Sequence, residues 1–369
     1  MCFPVSIFAV TRPLFIDTLK RGRCIRRGGS VSTGRSESLG SLVFDSRIPC
    51  GIAPQRAWFS EEITESMTLT IHPTAIVSPT VELSEDIAIG PYCVLDGAIR
   101  IGAGTRLISH VSVSGNTTIG KRCTIYPFAS LGHPPQDRRY RGEPVSLIIG
   151  DDNIIREYVT MHAGTADGSQ VTRVGNSCFF MVGAHVAHDC KVGNHVVLAN
   201  HATLGGHVEV GDHVFIGGLS AIHQFARIGK HAMVSGAAGI QRSVIPYGMA
   251  IGFGASLDGL NFVGLKRRGF SRSAIQTLRR VFSRLFRDSD GTMAERIEQI
   301  TEENADSPEV KELIAFIAEN EESGRGLCMP KSRTLASTGK SESATKDVAQ
   351  DEPRMAARIR TGIITEGGQ

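Results

Sequence analysis

The fold is decided by residues 71–131, which read IHPTAIVSPTVELSEDIAIGPYCVLDGAIRIGAGTRLISHVSVSGNTTIGKRCTIYPFASL. Every sixth residue of this stretch is aliphatic, eleven times in a row: Ile71, Val77, Leu83, Ile89, Leu95, Ile101, Leu107, Val113, Ile119, Ile125 and Leu131. A period of six differs from the period of a helix and from the alternation of an ordinary strand. It is typical of hexapeptide repeats that wind into a β-helix. A β-sandwich with accidental spacing does not account for so long a run.

The predicted fold class is therefore all-β: a left-handed parallel β-helix over residues 67–257 with a small C-terminal α-helical domain. Each repeat supplies one short strand and a turn, and three repeats close a triangular coil. The coils have to stack, because one coil cannot bury its own apolar face. About nine to ten coils at roughly 4.8 Å spacing give a prism on the order of 45 Å long.

Two polar segments interrupt the period, residues 133–147 and residues 164–173. The aliphatic positions resume at Ile149 and Val174 and continue to Ile240. Loops that leave a rigid scaffold often carry binding residues. The first segment is dense in charge, and we expect it to contact a ligand; a tolerated insertion is the alternative.

Composition limits the class of protein. The chain has 369 residues, 41 of them Gly, and only 6% aromatic residues, which suits a narrow prism filled by aliphatic side chains. A net charge of +3 is too weak to predict a nucleic-acid partner. No apolar run is long enough to predict a transmembrane helix. The eight Cys lack metal-ligand spacing; three lie in the N-terminal extension, and the remaining five are predicted to be reduced thiols. No metal or cofactor is expected.

The N-terminal extension is basic and poor in acids. Residues 1–36 contain a single acid, Asp17, against seven cations: Arg12, Lys20, Arg21, Arg23, Arg26, Arg27 and Arg35. Ser is also frequent, and this combination is the signature of an organellar transit peptide. We predict that residues 1–66 direct the chain to the mitochondrial matrix, with a plastid as the alternative. A translation start at Met67 is the competing interpretation.

Residues 258–326 are predicted to form a helical cap. Ser271 and Thr292 are candidate N-caps, and Ser307-Pro308 opens a third helix. The cap would cover the end of the prism, where strand edges are otherwise unpaired. Residues 327–369 are rich in Ser, Thr, Lys and Gly without any period, so we predict a disordered tail.

Histidines cluster in the middle of the repeat region: His162, His185, His188, His195, His201, His207, His213, His223 and His231. Taken singly, each is more simply a surface or turn residue. Adding eighteen residues moves down one coil, so His188 should lie over Gly206 and then Gln224, and Asp189 over His207. His185 lies three residues before His188, on the same patch.

This patch has the parts of a general-base site. A His beside an Asp has a fixed tautomer and raised basicity. The Gly205-Gly206 pair allows backbone N–H groups to approach a ligand, as an oxyanion site requires. Cys190 should point away from His188, so no nucleophile is predicted and transfer to a hydroxyl or amine should be direct. Hexapeptide prisms usually form trimers, which would place the patch in a cleft between subunits.

Four motifs carry a resemblance to a known family: MVGAHVAHDC at 181–190, GGH at 205–207, AIHQF at 221–225 and GLKRRGF at 264–270. Together with both loops they closely resemble the acyl-carrier-protein–UDP-N-acetylglucosamine O-acyltransferases, which begin lipid A synthesis. The resemblance covers residues 69–326. It implies a homotrimer that moves a 3-hydroxyacyl group from acyl carrier protein to the glucosamine 3-hydroxyl of UDP-N-acetylglucosamine. A 3-amino acceptor stays open.

The resemblance also implies residue roles. His188 would be the general base, Asp189 would orient it, and the Gly206 N–H would stabilise the oxyanion. The implied substrate-binding residues are Asp137 and Arg139 for sugar and phosphate, His185 and His207 for sugar and acyl group, Gln224 for the acyl or thioester end, with His223 beside it, and Asn261, Arg267 and Arg268 for the nucleotide. Gly236 falls at the position that, in this family, limits how far the acyl chain can extend into its groove. A glycine there leaves room and favours a longer acyl chain.

Two other interpretations use the same prism. A γ-type carbonic anhydrase would need three His around Zn²⁺, and His162, His185 and His188 are the candidate set; that class lacks the helical cap and the Lys-Arg-Arg motif. A non-catalytic homologue is the third possibility, against which the His188-Asp189 pair argues. The bacterial enzymes lack the leader and the tail, so we expect an organelle-targeted eukaryotic form, from a plant.

Overall fold

The computed structural model describes residues 69–322 and 325–331, in which the chain coils through three sheets. Sheet A contains β1 Thr70–Ile71, β4 Ala88–Ile89, β7 Arg106–Leu107, β10 Thr124–Ile125, β13 Ile154–Ile155, β16 Phe179–Phe180, β19 Val197–Leu198, β22 Phe215–Ile216, β25 Met233–Val234, β27 Gly248–Ile251 and β28 Ser256–Leu260. Sheet B contains β2 Ile76–Val77, β5 Val94–Asp96, β8 Ser112–Ser114, β11 Ser130–His133, β14 Thr160–His162, β17 His185–Val186, β20 Thr203–Leu204, β23 Ala221–Ile222 and β26 Gly239–Ile240. Sheet C contains β3 Glu82–Leu83, β6 Ile99–Ile101, β9 Asn116–Ile119, β12 Ser146–Ile149, β15 Val171–Val174, β18 Lys191–Val192, β21 Glu209–Val210 and β24 Arg227–Ile228.

The strands stack in parallel with a constant register. Val197 pairs with Phe215, eighteen residues further on. The step grows to thirty residues between Ile125 and Ile155 and to twenty-five between Ile155 and Phe180, because two loops leave the prism there. We call residues 134–145 the first loop and residues 163–170 the second loop. The predicted left-handed parallel β-helix is confirmed; the antiparallel β27–β28 pair, which the period did not predict, ends sheet A.

The core contains two inward columns rather than one. The predicted aliphatic position is buried in every coil from Ile89 to Ile240, whereas Ile71, at the open end, is 41% exposed. A second buried column lies two residues earlier and was not predicted. It holds many small side chains, such as Cys93, Cys123, Cys178, Ala184, Cys190 and Ala202. Large and small residues therefore alternate to fill a narrow prism. The five cysteines of the described part are buried and unpaired, as predicted.

The outward faces of the three sheets differ in charge. Sheet C presents ion pairs along its length, such as Arg100–Glu82 at 3.1 Å and Lys191–Glu209 at 2.7 Å. The outward residues of sheet A are mostly apolar in its C-terminal half: Ile154, Phe179, Val197, Phe215, Met233 and Met249. Those of sheet B are mostly small or neutral. Sheet C is thus suited to water, and sheets A and B are suited to contact with protein.

Four helices follow the β-helix: α1 Phe262–Arg267, α2 Arg272–Phe286, α3 Met293–Glu303 and α4 Pro308–Glu322. The two predicted N-caps are confirmed, because Ser271 Oγ accepts from Ala274 N and Thr292 forms a capping box with Glu295. The short helix α1 was not predicted. The predicted boundary between residues 257 and 258 falls inside β28.

The predicted disordered tail needs a correction at its start. The Cys328 N–H donates to Ser243 O at 2.8 Å, and its buried side chain lies against Ala255 O. Residues 327–331 therefore pack on the prism, because backbone partners in the last coil are available to them; residues 332–369 lie outside the described part. Among the described residues, no helix is long and apolar enough to span a bilayer.

Candidate active site

The three corners of the prism position the candidate residues. In the C-terminal half, corner BC comprises residues 187–190, 205–208 and 223–226, between sheets B and C. Corner CA comprises residues 193–196, 211–214 and 229–232, and corner AB comprises residues 199–202, 217–220 and 235–238. Every coil passes all three corners, so residues eighteen apart share a corner. His188, Asp189, Gly206, His207, His223 and Gln224 all lie at corner BC.

His188 and Asp189 form a hydrogen-bonded pair. Their side-chain atoms Nδ1 and Oδ2 are 2.9 Å apart, with the His188 side chain 15% exposed and the carboxylate fully buried. The backbone of Asp189 is left-handed, with φ of 59°. An Asp tolerates this conformation, which aims its side chain back along the corner. A neutral His188 beside the carboxylate carries its proton on Nδ1, so Nε2 is the free proton acceptor.

The second loop surrounds the Asp189 carboxylate with donors. Thr165 donates from its backbone N at 3.1–3.2 Å and from Oγ1 at 2.6 Å, and Ser169 Oγ donates at 3.1 Å. Burial alone raises the pKa of Asp189, but the hydrogen bonds from Thr165, His188 and Ser169 outweigh it and hold the pKa below its usual value. Neither Thr165 nor Ser169 was a predicted site residue; their only signal was their position in the second polar interruption, residues 164–173.

Gly206 lies directly beneath the imidazole of His188. A Cβ added at Gly206 would stand 2.6 Å from His188 Nε2, so only glycine fits at this point. Within the described part of the chain, the Gly206 N–H donates to no acceptor. A free backbone donor beside the basic nitrogen is the arrangement that an oxyanion site requires.

His207 and Gln224 complete corner BC. His207 Nε2 is 3.7 Å from Asp189 Oδ2, and its ring stacks on Phe225 with centroids 4.5 Å apart. Burial lowers the pKa of His207, and the nearby Asp189 partly opposes that shift. Gln224 is exposed at the mouth of the site. The predicted stacking of His188, Gly206 and Gln224, and of Asp189 and His207, matches the register.

His185 stands on β17, one strand before the corner. Its Nδ1 lies 2.7 Å from Thr160 Oγ1, and its ring meets that of His162 edge-on. Burial, with smaller effects of His162 and His188, lowers the pKa of His185 to about 4. His185 is therefore neutral near pH 7 and can serve as a hydrogen-bonding group rather than as a cation.

The first loop holds Asp137 and Arg139 near this corner. Arg139 Nη2 is 2.8 Å from Asp137 Oδ2, and its Nη1 reaches Asp167 of the second loop at 3.2 Å. The Arg139 hydrogen bonds lower the pKa of Asp137 to about 2. His162 Nδ1 contacts Pro134 O at 2.7 Å and ties the loop to the prism. Both loops therefore converge on corner BC.

Four other predicted residues lie elsewhere. Gly236 is exposed at corner AB. Arg267 and Arg268 are both exposed, and Arg268 donates to His213 O at corner CA, at 2.7 Å. Asn261 is buried: its Oδ1 accepts from Gly264 N as the α1 N-cap, and its Nδ2 donates to His231 O. The single chain therefore does not bring Gly236, Asn261, Arg267 or Arg268 to His188.

Two further expectations concern metal ligands and a nucleophile. In the described residues, the group whose ligand atoms lie within 4.8 Å of one another is His188, Asp189 and His207, rather than His162, His185 and His188. Its carboxylate already accepts several hydrogen bonds, which does not favour a zinc site. Cys190 is buried, as predicted, and burial raises the pKa of its thiol to about 12. It is unsuited to act as a nucleophile.

Comparison with known proteins agrees with this geometry. Residues 244–328 match the family described as "Udp N-acetylglucosamine O-acyltransferase; Domain 2", and residues 172–206 match "Bacterial transferase hexapeptide (six repeats)". The acyl-[acyl-carrier-protein]–UDP-N-acetylglucosamine O-acyltransferase of Thermodesulfovibrio yellowstonii is 50% identical over 258 residues, covering 70% of this chain and 98% of that protein. The protein of the same name from Azorhizobium caulinodans is 51% identical over 266 residues, covering 72% and 97%. The UDP-N-acetylglucosamine O-acyltransferase structure from Moraxella catarrhalis matches with a TM-score of 0.68 at 42% identity, covering 70% of this chain and 100% of that one. The chain belongs to the acyl-[acyl-carrier-protein]–UDP-N-acetylglucosamine O-acyltransferase family.

Proposed function

We propose that this chain transfers a 3-hydroxyacyl group from acyl carrier protein to the glucosamine 3-hydroxyl of UDP-N-acetylglucosamine, the first step of lipid A biosynthesis. The observation that carries the proposal is the His188–Asp189 pair above Gly206. The curated relatives that share this name match across nearly their whole length.

The reaction is a direct acyl transfer. His188 Nε2 takes the proton of the sugar hydroxyl while the oxygen attacks the thioester carbonyl. The Gly206 N–H stabilises the tetrahedral oxyanion. The intermediate collapses to an ester and expels the carrier thiolate, which receives the proton from His188. Asp189 stabilises the imidazolium between these two steps, and no covalent enzyme intermediate forms.

The sugar and its phosphates bind through the first loop and β17. Asp137 is held anionic by Arg139, and Arg139 itself has a fork of donors suited to phosphate. Neutral His185 and His207 hydrogen-bond the substrate, and His223 and Gln224 meet the thioester end. Asn261 contributes mainly by fixing α1 and, with it, the position of Arg267 and Arg268.

A homotrimer would complete the site. The charged face of sheet C favours solvent, so sheets A and B would contact neighbouring subunits, with corner AB at the threefold axis. Corner BC of one subunit would then meet corner CA of the next, which carries Arg268. The apolar face of sheet A would lead the acyl chain inward from there, towards Gly236.

Assembly and activity should therefore fail together. Phe215→Glu places a charge on the apolar face of sheet A and is expected to give monomers with no acyl transfer. Arg100→Glu, on the charged face of sheet C, is the matched control and should leave the trimer intact. Analytical ultracentrifugation and the transfer assay provide the measurements; an active Phe215→Glu monomer would refute the shared site.

The cap offers a surface for an acidic carrier protein. Residues 262–287 contain eight cations and no acid, and within the described residues only Arg284 of these forms an ion pair. A groove lined by Phe262, Phe270 and Ile275 is bordered by Lys266, Arg272 and Arg279. Such a basic rim would steer a carrier protein with an acidic surface to the site.

The destination of the chain rests on residues 1–66, which lie outside the described part. The basic, acid-poor composition of residues 1–36 supports import into the mitochondrial matrix, with a plastid as the alternative, and supports a eukaryotic form from a plant. Residues 1–66 fused to a fluorescent protein should enter mitochondria in plant cells. A diffuse cytosolic signal would exclude import.

The transfer reaction is tested with UDP-N-acetylglucosamine, its 3-amino analogue and 3-hydroxyacyl carrier proteins of several lengths. Mass spectrometry should detect an O-acylated nucleotide sugar that disappears in His188→Ala. If only the 3-amino analogue gave a product, the acceptor would be the amino sugar rather than UDP-N-acetylglucosamine. No product with any donor, together with stoichiometric bound zinc, would favour the carbonic anhydrase class.

A further inference from the structure

The second loop is built around one buried carboxylate. Thr165 and Ser169 together supply three groups that donate to Asp189: a backbone N–H and two hydroxyls. We propose that the second loop is a positioning element of the acyl transfer, in which Thr165 and Ser169 fix the Asp189 carboxylate so that His188 keeps its reactive tautomer. This inference rests on the proposed function.

Two glycines bring the loop backbone onto the carboxylate. A Cβ at Gly168 would stand 2.5 Å from Asp189 Cγ, and a Cβ at Gly164 would stand 2.9 Å from Asp189 Oδ1. Real Cβ atoms do not approach other atoms so closely. The loop can therefore enclose Asp189 only because these two positions lack side chains.

Thr165 is itself held from several sides. Its carbonyl accepts from Gly168 N at 3.1 Å and from Gln170 N at 3.2 Å, which closes the loop into a compact turn. The Gln170 carbonyl in turn accepts from Ser146 N of β12 at 2.9 Å. The Asp189 N–H donates to Thr172 Oγ1, so both the backbone and the side chain of Asp189 are fixed. Few alternative rotamers are left to the carboxylate.

Proton transfer by His188 requires the Asp189 carboxylate to stay ionised and fixed in position. A fully buried carboxylate stays ionised only when hydrogen bonds replace its hydration. If one oxygen lost its donors, the carboxylate could rotate away from His188 Nδ1 or take up a proton. The proton of neutral His188 would then distribute between Nδ1 and Nε2, and the protonated Nε2 cannot act as a base.

Thr165→Val tests the hydroxyl of Thr165 in the full chain. It keeps the shape of the side chain and removes the shortest donor to Asp189. We expect kcat to fall by about tenfold to a hundredfold, the typical cost of a lost hydrogen bond to a charged group. The KM for UDP-N-acetylglucosamine should stay within about twofold, and Thr165→Ser should recover most of the activity.

Thr105→Val is the matched control. Thr105 is another buried threonine, far from corner BC, whose hydroxyl donates to Gly120 O and accepts from Cys123 N. Both variants should lower the melting temperature to a similar degree, but only Thr165→Val should lower kcat. Equal losses of kcat in the two variants, or an unchanged kcat in Thr165→Val, would overturn the inference.

A second measurement does not need turnover. Ring ¹⁵N NMR shifts of His188 should report an Nδ1–H tautomer in the wild-type chain and a mixture in Thr165→Val and Gly168→Ala, with Asp189→Asn as the reference for a lost carboxylate. If the wild-type chain transferred no acyl group, the proposed function would fail, while the NMR result would still decide the positioning role. An identical His188 tautomer in all four chains would overturn it.

Discussion

Two columns of histidine run along this prism, and they do different things. At corner BC, His188 and His207 meet edge-on around Asp189. At corner CA, His195, His213 and His231 stack face to face, with centroids 4.6 and 4.8 Å apart, and continue into Tyr247. His207 and the three stacked histidines all have the same left-handed backbone.

The difference lies in the surroundings of the rings. In the described residues, no ring of the corner CA column reaches a carboxylate within ion-pair distance. Burial, and then the neighbouring His213, lowers the pKa of His231 to about 4, so His231 packs as a neutral aromatic ring near pH 7. At corner BC a buried carboxylate fixes one imidazole. His207 shares its left-handed backbone with the stacked histidines, whereas His188, the proposed base, lacks it. The buried carboxylate of Asp189 and the second loop that holds it distinguish His188 from the packing histidines.

Removal of one ring from each column gives the largest expected contrast. His188→Ala should lower kcat by about a hundredfold to ten-thousandfold, because the general base is lost. His213→Ala should leave kcat almost unchanged and lower the melting temperature, since its ring only stacks. Steady-state kinetics and thermal unfolding of both variants provide the comparison. If His188→Ala kept a near-normal kcat, His188 would not be the general base.

The glycines of two corners give the next contrast. Gly206→Ala would place a Cβ 2.6 Å from His188 Nε2 and should lower kcat for every donor by about tenfold to a hundredfold. At Gly236 the nearest atom to an added Cβ is 3.4 Å away, so Gly236→Ala should be tolerated. It should reduce transfer of the longest acyl chains only. If both variants affected all donors equally, Gly236 would not lie along the acyl chain.

In the proposed function, Arg268 connects the corner CA column to the bound nucleotide. Arg268→Ala should raise the KM for the UDP-sugar by roughly tenfold and change kcat less, because a charge-assisted contact to the bound ground state is lost. Arg267→Ala, at an exposed side chain, is the comparison and should have a smaller effect. If kcat alone fell in Arg268→Ala, this residue would act in the transition state instead.

Acid should destabilise the stacked column mildly. The folded-state pKa of His231 is about 4, below the ordinary value of 6.5, so the unfolded chain binds more protons between these two values. Stability is therefore complete above about pH 6.5 and falls as the pH drops towards 4. His231→Phe keeps the stack and removes this titration. The melting temperature of both chains should drop between pH 7 and pH 5. The drop should be smaller in His231→Phe than in the wild type, by about 2–4 °C.

Counting along the sequence succeeded wherever the coils are regular. The constant step of eighteen residues is enough to place His188 over Gly206 and Asp189 over His207. Counting failed at Thr165 and Ser169, because the second loop changes the step to twenty-five residues and its backbone folds back over the corner. A residue in an inserted loop has no fixed position in the eighteen-residue repeat. Its contacts therefore could not be predicted by counting along the sequence.

The sequence by itself determined the β-helix, its length, the burial of one aliphatic column and the histidine-aspartate pair. These could be predicted because each regular coil has the same number of residues, so the register stays constant along the prism. Only the tertiary structure decided the second inward column, the donors around Asp189 and the buried cap role of Asn261. It also placed Arg268, which follows the last regular coil, at corner CA, away from His188. These features depend on side-chain packing and on the paths of segments outside the regular coils. A six-residue period encodes neither.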